Sequence, residues 1–330
     1  MERNNKARLL IFLSTAGLAV SVLLGLCLGA SNIRPAVLLA TLAEGKPDDF
    51  LYRILLTVRL PRVTAALLAG SALAVSGAII QSVLNNPLAS PNIIGVNAGA
   101  GLLVLLASAF LPPDPLTLPL SAFSGALLAC LLVLAIAMTG RLSRVLLVLT
   151  GFAVNSMFSA GMNTVMILYP DAYVGAGNFL VGGLSSVTPN VLVYPSAFIA
   201  AGVLLAQLGS KGLNILNLGA DNAKALGMNV NACRCAYLAI AAILAGAAVS
   251  FAGMIGFVGL LVPHGVKLVI GQDNRFVIPA SALTGGMFVI LCDLLARTVF
   301  LPYELPVGIL MSFIGGPFFL YLILKNRRKE

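Results

Sequence analysis

Charged side chains are scarce in this sequence. Only 9% of its 330 residues are Asp, Glu, Lys or Arg, 59% are hydrophobic, and the mean hydropathy is +1.03. A water-soluble domain could not bury that much apolar surface, so we expect the lipid bilayer to be the solvent. Uncharged runs such as Val63–Pro113 are far too long for the strands of a membrane barrel. They indicate membrane-spanning α-helices.

Residues that carry chemistry are equally scarce. His264 is the single histidine, no carboxylate lies near it in the sequence, and there is no tryptophan. Neither a zinc site nor a Ser-His-Asp triad can be argued from such a pattern. The five cysteines are scattered, and Cys233-x-Cys235 has neither metal nor redox spacing. We therefore predict no catalytic residue, metal site or cofactor in this chain, and no enzyme.

Ten apolar segments are suited to crossing a membrane, which takes about 20 helical residues. They cover residues 9–30, 63–84, 92–111, 116–139, 146–169, 191–208, 236–255, 257–270, 277–296 and 307–324. Prolines and asparagines at Asn85–Asn92 separate the second segment from the third. Residues 170–190 are too polar and too broken to span. The predicted fold is one all-α polytopic membrane domain over residues 1–330.

Lysine and arginine indicate the orientation. With ten spans both termini lie on one side of the membrane, and that side holds 14 of the 20 Lys and Arg residues against six on the other. The positive-inside rule then places both termini in the cytoplasm. The net charge of +9 is thus a consequence of topology and does not indicate nucleic-acid binding.

Two spans share a pattern of small residues. AGSALAVSGAII (Ala69–Ile80) and AGAAVSFAGMIG (Ala245–Gly256) both place Gly, Ala and Ser where helices could approach closely. In the predicted topology these spans run in opposite directions. The pattern favours an inverted repeat.

The acidic residues bear on how transport could be driven. All eleven lie in loops or near span ends, with Asp293 the deepest, whereas ion-coupled carriers usually hold ionisable groups inside spans. The sequence has no G-x-x-x-x-G-K-[ST] loop for binding ATP. We therefore expect a separate ATPase at the cytoplasmic face. The alternative is an ion-coupled secondary transporter that uses Asp293 or Glu304.

One cytoplasmic loop, residues 211–234, contains the polar stretch Asn217–Asn229. An Asp or Asn near its start can cap a short helix, and Gly227 suits its end. Ala220, Ala223 and Gly227 would give this helix a small-residue face. On composition alone the helix is either a docking site for a partner or a connection packed on its own bundle.

Six motifs occur in the order found in a known family. They are RLPR (Arg59–Arg62), GSALAVSGAIIQSVLNNPLASPNIIGVNAGAG (Gly70–Gly101), LNLGADNAKALGM (Leu216–Met228), GMIGFVGLLVPH (Gly253–His264), CDLLAR (Cys292–Arg297) and ELPVGILMSFIGGPFF (Glu304–Phe319). On these motifs the chain resembles the FecCD-type, or type II, permeases of ATP-binding-cassette (ABC) importers. That family takes up iron-siderophores, haem and cobalamin.

The resemblance implies partners and site residues. It implies two ABC ATPases that bind ATP and magnesium, an extracytoplasmic substrate-binding protein, and a second permease copy or paralogue, in the inner membrane of a prokaryote. An iron-siderophore is the first expectation for the cargo, before haem and cobalamin. The ATPase-coupling residues would be Gly219, Ala220, Asp221, Ala223, Lys224, Leu226 and Gly227. The residues that dock the binding protein would be Arg59, Arg62 and Arg297.

The fifth span has one polar, soft face. It consists of Asn155, Ser159, Met162, Asn163 and Met166. These residues predict either the lining of a transport path or hydrogen bonds between helices. The chain departs from the family pattern at Lys267, where Arg is common, and at Asn274, where His is frequent.

Overall fold

The computed structural model describes residues 2–29, 32–45, 49–139 and 144–327, and within them the chain is helical, without β-strands. Its α-helices are α1 (Glu2–Cys27), α2 (Pro35–Glu44), α3 (Phe50–Ile54), α4 (Leu60–Leu84), α5 (Val96–Phe110), α6 (Thr117–Thr139), α7 (Arg144–Leu168), α8 (Pro170–Val181), α9 (Pro189–Leu208), α10 (Ser210–Asn217), α11 (Ala220–Ala225), α12 (Val230–Ala252), α13 (Val258–Ile270), α14 (Asn274–Thr298) and α15 (Val307–Arg327). A π-helical turn, Leu55–Arg59, joins α3 and α4 into one continuous helix.

The apolar helices match the predicted spans in number and order. Within the described residues seven are long and apolar enough to cross a membrane, and three shorter apolar helices, within α5, α13 and α15, lie where the other three spans were predicted. The predicted all-α polytopic fold is therefore confirmed. The second long helix extends over Phe50–Leu84, well before the predicted start, because α3 and the π-helical turn continue it. Residues 170–190, predicted not to span, contain the 12-residue helix α8.

Helix directions define two ends of the bundle. At one end, here called the arginine end, Arg62 of α4 binds Asp293 of α14; at the other, the loop end, Ser82 of α4 binds Asn274 of α14. These two helices are therefore antiparallel. The helix α1 runs parallel to α14, since Ser14 contacts Thr284 and Arg297 binds Gly25.

Both terminal helices have their free ends at the loop end. The helix α1 finishes at the arginine end, where Gly25 meets Arg297, so it starts at the opposite one. The helix α15 starts at the arginine end, where the Gly308 N–H donates to the Gly182 carbonyl, and runs away from it. This placement of the two terminal helices agrees with an even number of spans.

The helix α4 is enclosed by three others. Gly70 faces the carbonyl oxygen of Gly285 in α14, and Gly77 faces that of Gly259 in α13; a Cβ at either glycine would overlap the facing oxygen. The Ser76 hydroxyl donates to the Ala241 carbonyl of α12 at 2.7 Å. Small residues let helix backbones approach this closely within a membrane.

Two pairs of helices share a long–short pattern. The helix α4 ends at Asn85, which has φ 46°, and is followed by the short apolar helix α5. Similarly, α12 ends at Gly253, which has φ 72°, and is followed by the short apolar helix α13. The helix α12 begins at the loop end, where the Tyr237 hydroxyl binds the Gly209 carbonyl, and so runs antiparallel to α4. The opposite directions of the two pairs are those of the predicted inverted repeat.

The contact between α4 and α13 generates a stability prediction. We expect Gly77→Ala to lower the apparent melting temperature in detergent, because the new methyl group overlaps backbone and overpacking costs about 1–3 kcal/mol. Gly265→Ala is the matched control, since a Cβ there meets no atom within 4 Å. Equal melting temperatures for the two variants would show that the close contact does not hold the helices together.

The charge distribution generates a topology prediction. Green fluorescent protein fused after Glu330 should fluoresce, because it folds in the cytoplasm, whereas alkaline phosphatase fused at the same place should be inactive. An active phosphatase with a dark fluorescent fusion would invert the orientation derived from the positive-inside rule.

Candidate functional site

The three arginines predicted to dock a partner meet at the arginine end, and all are buried. Arg59, Arg62 and Arg297 are 4%, 7% and 4% exposed. Arg62 Nε donates to both carboxylate oxygens of Asp293 at 3.0 Å, and its Nη1 donates to Glu304 Oε2 at 2.7 Å. Arg297 Nε lies 3.7 Å from Asp293 Oδ2. A buried carboxylate is thus shared by two cations.

The same arginines bind the end of α1. Arg59 Nη1 donates to the Leu26 carbonyl and, at 3.0 Å, to the Cys27 carbonyl, while Arg297 Nη2 donates to the Gly25 carbonyl. The last carbonyls of a helix have no partner within it and carry its negative dipole charge. The two cations therefore satisfy and stabilise the C-terminus of α1.

In this geometry the three guanidinium groups predicted to dock a partner bind groups of their own chain. Their N–H groups donate to acceptors within the chain. An unpaired charge surrounded by hydrocarbon would be energetically very costly. Among the described residues near this end, Arg34 and Arg53 are exposed cations that were not predicted as docking residues. The available signal was the acid in an apolar span: Asp293 requires a cationic partner from another helix. Docking by the three arginines stays a prediction.

The cluster also bears on the ion-coupled alternative. Its two candidate carboxylates, Asp293 and Glu304, both bind Arg62. A coupling carboxylate must take up and release a proton or cation, and either event here would break an ion pair; for the buried Asp293 it would leave a cation without its partner. The arrangement therefore favours a structural role for both carboxylates.

The predicted coupling helix lies at the loop end and faces two ways. Ala223 is 0% exposed and packs on the bundle, whereas Leu226 is 65% exposed. Asp221, Lys224 and Gly227 are also exposed. The expectation of a small-residue face open to a partner is therefore wrong at Ala223, because that methyl group anchors the helix to its own chain.

The N-terminus of this helix differs from the prediction, whereas its C-terminus agrees with it. Gly219 occupies the N-cap position with φ 100° and no side-chain bond, so neither Asn217 nor Asp221 is the cap. Ala220 follows it and is half-buried. Gly227 has φ 78° and ends the segment as predicted. Such positive φ values favour glycine at both positions.

The polar face of α7 is divided between two environments. Asn155 Nδ2 donates to the Asn92 carbonyl at 2.7 Å, and Met162 and Met166 pack against the core. Ser159 and Asn163 are exposed. The hydrogen-bonding alternative thus describes Asn155, while the two exposed residues remain available to line a path.

Metal ligands are not grouped in the part of the chain that the structure describes. There, no three residues of the His, Cys, Asp and Glu types lie close enough to hold an ion. His264 is 8% exposed inside α13. One turn later Lys267 Nζ lies 3.2 Å from Gln81 Oε1, which ties α13 to α4.

Removing the buried carboxylate should unfold the arginine end. We expect Asp293→Asn to cost about 3–5 kcal/mol, because it removes the carboxylate that Arg297 faces and leaves Arg62 paired with the partly exposed Glu304 alone. Glu304 has a side chain 40% exposed, so Glu304→Gln should cost about 1 kcal/mol or less. The apparent melting temperatures of the two variants in detergent measure the difference. A fully stable Asp293→Asn protein would show that the cluster is not structural.

Comparisons with known proteins agree with the motifs. The model of the FecCD transport family matches residues 17–325. The Fe(3+)-citrate import system permease protein YfmD of Bacillus subtilis is 38% identical over 329 residues, covering 99% of this chain and 98% of that protein. The hemin transport system permease protein HmuU of Yersinia pestis is 36% identical over 321 residues, covering 95% and 96%.

A third relative and a solved structure extend the match. The cobalamin import system permease protein BtuC of Halobacterium salinarum is 38% identical over 270 residues, covering 81% of this chain and 72% of that protein. A metal-chelate type ABC transporter in an inward-facing conformation superposes with a TM-score of 0.83 at 26% identity, covering 96% of this chain and 98% of that one. The chain therefore belongs to the FecCD transport family.

Proposed function

We propose that this chain is the permease subunit of an ABC importer for an iron chelate in the inner membrane of a prokaryote. Alternating access would be driven by a separate ATPase. A ferric siderophore is the first candidate for the cargo, with haem and cobalamin next. The proposal is supported by relatives named for the import of ferric citrate, hemin and cobalamin.

The observation that carries the proposal is the exposed flank of α11. A connection packed only on its own bundle would not need to present Asp221, Lys224 and Leu226 together at the surface. Leu226 is apolar and 65% exposed next to two charges, a composition suited to an interface with a water-soluble protein. Because the sequence has no phosphate-binding loop, that protein would be the ATPase that binds ATP and magnesium.

The proposal includes two further partners. A second copy or paralogue would complete the path, with Ser159 and Asn163 of α7 facing it. An extracytoplasmic binding protein would approach the arginine end. There the buried Arg59, Arg62 and Arg297 would fix the shape of the surface, while the exposed Arg34 and Arg53 would attract an acidic partner. Surface charges of this kind mainly increase the association rate.

The docking flank can be tested by co-purification. We expect Leu226→Asp to reduce the amount of a co-expressed ABC ATPase that purifies with the tagged permease at least ten-fold, because a charge replaces the exposed apolar contact. Gln272→Asp, at an exposed residue of the loop end, is the matched control and should retain the ATPase. Ala223→Glu is unsuitable, since it would disrupt the permease itself.

Two outcomes would contradict the proposal. Full recovery of the ATPase with Leu226→Asp would place the docking surface elsewhere. Failure of every ATPase encoded beside the permease to co-purify with the unsubstituted protein, together with uptake that depends on membrane potential and not on ATP, would favour the ion-coupled carrier.

A further inference from the structure

A partly buried amide, that of Asn214, connects α10 to the start of α14. The Asn214 Oδ1 atom accepts from the backbone N–H of Asn274 at 2.8 Å and from Asn274 Nδ2 at 3.0 Å. Its Nδ2 donates to Asp273 Oδ1 at 2.7 Å. One side chain of α10 thus uses both its oxygen and its nitrogen to hold the N-terminus of a membrane-spanning helix.

The connection continues into α4. Asn274 is 0% exposed, and its Oδ1 accepts from the Ser82 hydroxyl at 3.1 Å. Asn274 is therefore hydrogen-bonded to α10 through Asn214 and to α4 through Ser82. The helix α9 joins the same network, because Gln207 Nε2 donates to the Arg275 carbonyl at 3.2 Å.

Asp273 fixes which way the Asn214 amide points. The hydrogen bond from Arg275 holds the pKa of Asp273 below its ordinary value, and the bond from Asn214 adds to this effect, although partial burial opposes it. The carboxylate is therefore ionised at neutral pH and accepts from the Asn214 nitrogen. This leaves the Asn214 oxygen to accept from Asn274, so the network has one arrangement.

The helix α10 precedes α11 and is fixed to the bundle by its apolar side chains. Its Leu213 and Leu216 are 0% and 2% exposed, so it packs firmly on the bundle. The turn from α10 to α11 is short and hydrogen-bonded: Gly219 N–H donates to the Leu216 carbonyl at 3.2 Å, and Ala223 N–H donates to the Gly219 carbonyl at 3.0 Å. A displacement of α11 by a partner would therefore move α10 as well.

We propose that Asn214 is a positioning residue that transmits displacement of α11 to α14 and α4. Those two helices cross the bundle and meet again at the arginine end, where Arg62 binds Asp293. A displacement at the loop end would thus be transmitted to the arginine end, because α4 and α14 are bonded to each other at both ends. The inference rests on the proposed function, because it requires an ATPase that moves α11.

The test separates ATP hydrolysis from movement of the arginine end. Spin labels are attached after Val174→Cys and Tyr303→Cys, at positions 79% and 78% exposed, in a protein whose half-buried Cys233 and Cys235 are replaced by Ala. The distance between the labels is measured by pulsed electron resonance in the complex with the ATPase, without nucleotide and after vanadate trapping of MgATP. No transported substrate is needed.

We expect Asn214→Ala to keep the ATPase bound, with hydrolysis within two-fold of the unsubstituted complex, and to lose most of the vanadate-induced change in distance. Asn231→Ala is the control, an exposed asparagine in the first turn of α12, and should keep the whole change. Ser82→Ala removes only the link to α4 and should reduce the change by about half. This milder variant decides the matter if Asn214→Ala does not accumulate.

Three results would overturn the assignment. These are an unaltered distance change in Asn214→Ala, an unaltered change in Ser82→Ala when the first variant does not accumulate, and a parallel loss of hydrolysis and ATPase binding. The last would make Asn214 a docking or folding residue. A complex of the unsubstituted protein that neither hydrolyses ATP nor changes distance would instead contradict the proposed function itself.

Discussion

The structure depends on close backbone contact along α4. In hydrocarbon, helices gain nothing by hiding apolar side chains from one another, so packing and hydrogen bonds must hold them. Gly70 and Gly77 bring α14 and α13 against the α4 backbone, and Ser76 binds the backbone of α12. With α4 enclosed in this way, its two ends are fixed points to which polar groups on other helices can be aligned.

Polar interactions are concentrated at those two ends. At the arginine end Arg62 and Arg297 compensate Asp293, and at the loop end Asn214, Asn274 and Ser82 form a hydrogen-bond network that extends to the Asp273 carboxylate. Both sites contain a residue of α4 and one of α14. The two sites differ in chemistry: buried ion pairs, which are costly to break, hold the arginine end, whereas hydrogen bonds of amide and hydroxyl groups, each of smaller net energy, link the helices at the loop end.

The sequence predicts the helical fold well because hydrocarbon allows little else. Apolar length predicted the order of the apolar helices, and the even number of spans agrees with α1 beginning and α15 ending at the same end of the bundle. The sequence could not predict the helix α8, since the Gly and Pro content of that segment favours a loop. Nor could it give the orientation of Ala223 or of Arg62, because burial depends on which neighbouring helix faces each side chain.

The sequence predicted some features of the candidate sites but not others, because burial depends on contacts between distant parts of the chain. A motif names the residues of α11 but not which of them face the solvent. The partnership of Arg62 with Asp293 joins residues 231 positions apart, and a pattern within a short window cannot reveal it. By contrast, the glycine at position 227 follows from local backbone conformation and was predicted correctly.

The two-sided character of α11 has an evolutionary consequence. Its inward residue, Ala223, is constrained by the bundle, whereas Asp221, Lys224 and Leu226 are constrained only by whatever touches them. Substitutions on the outward side can therefore accumulate without refolding the permease, and under the proposed function a different ATPase would require only a change of surface. Related transporters could then combine the same transmembrane bundle with different ATPases.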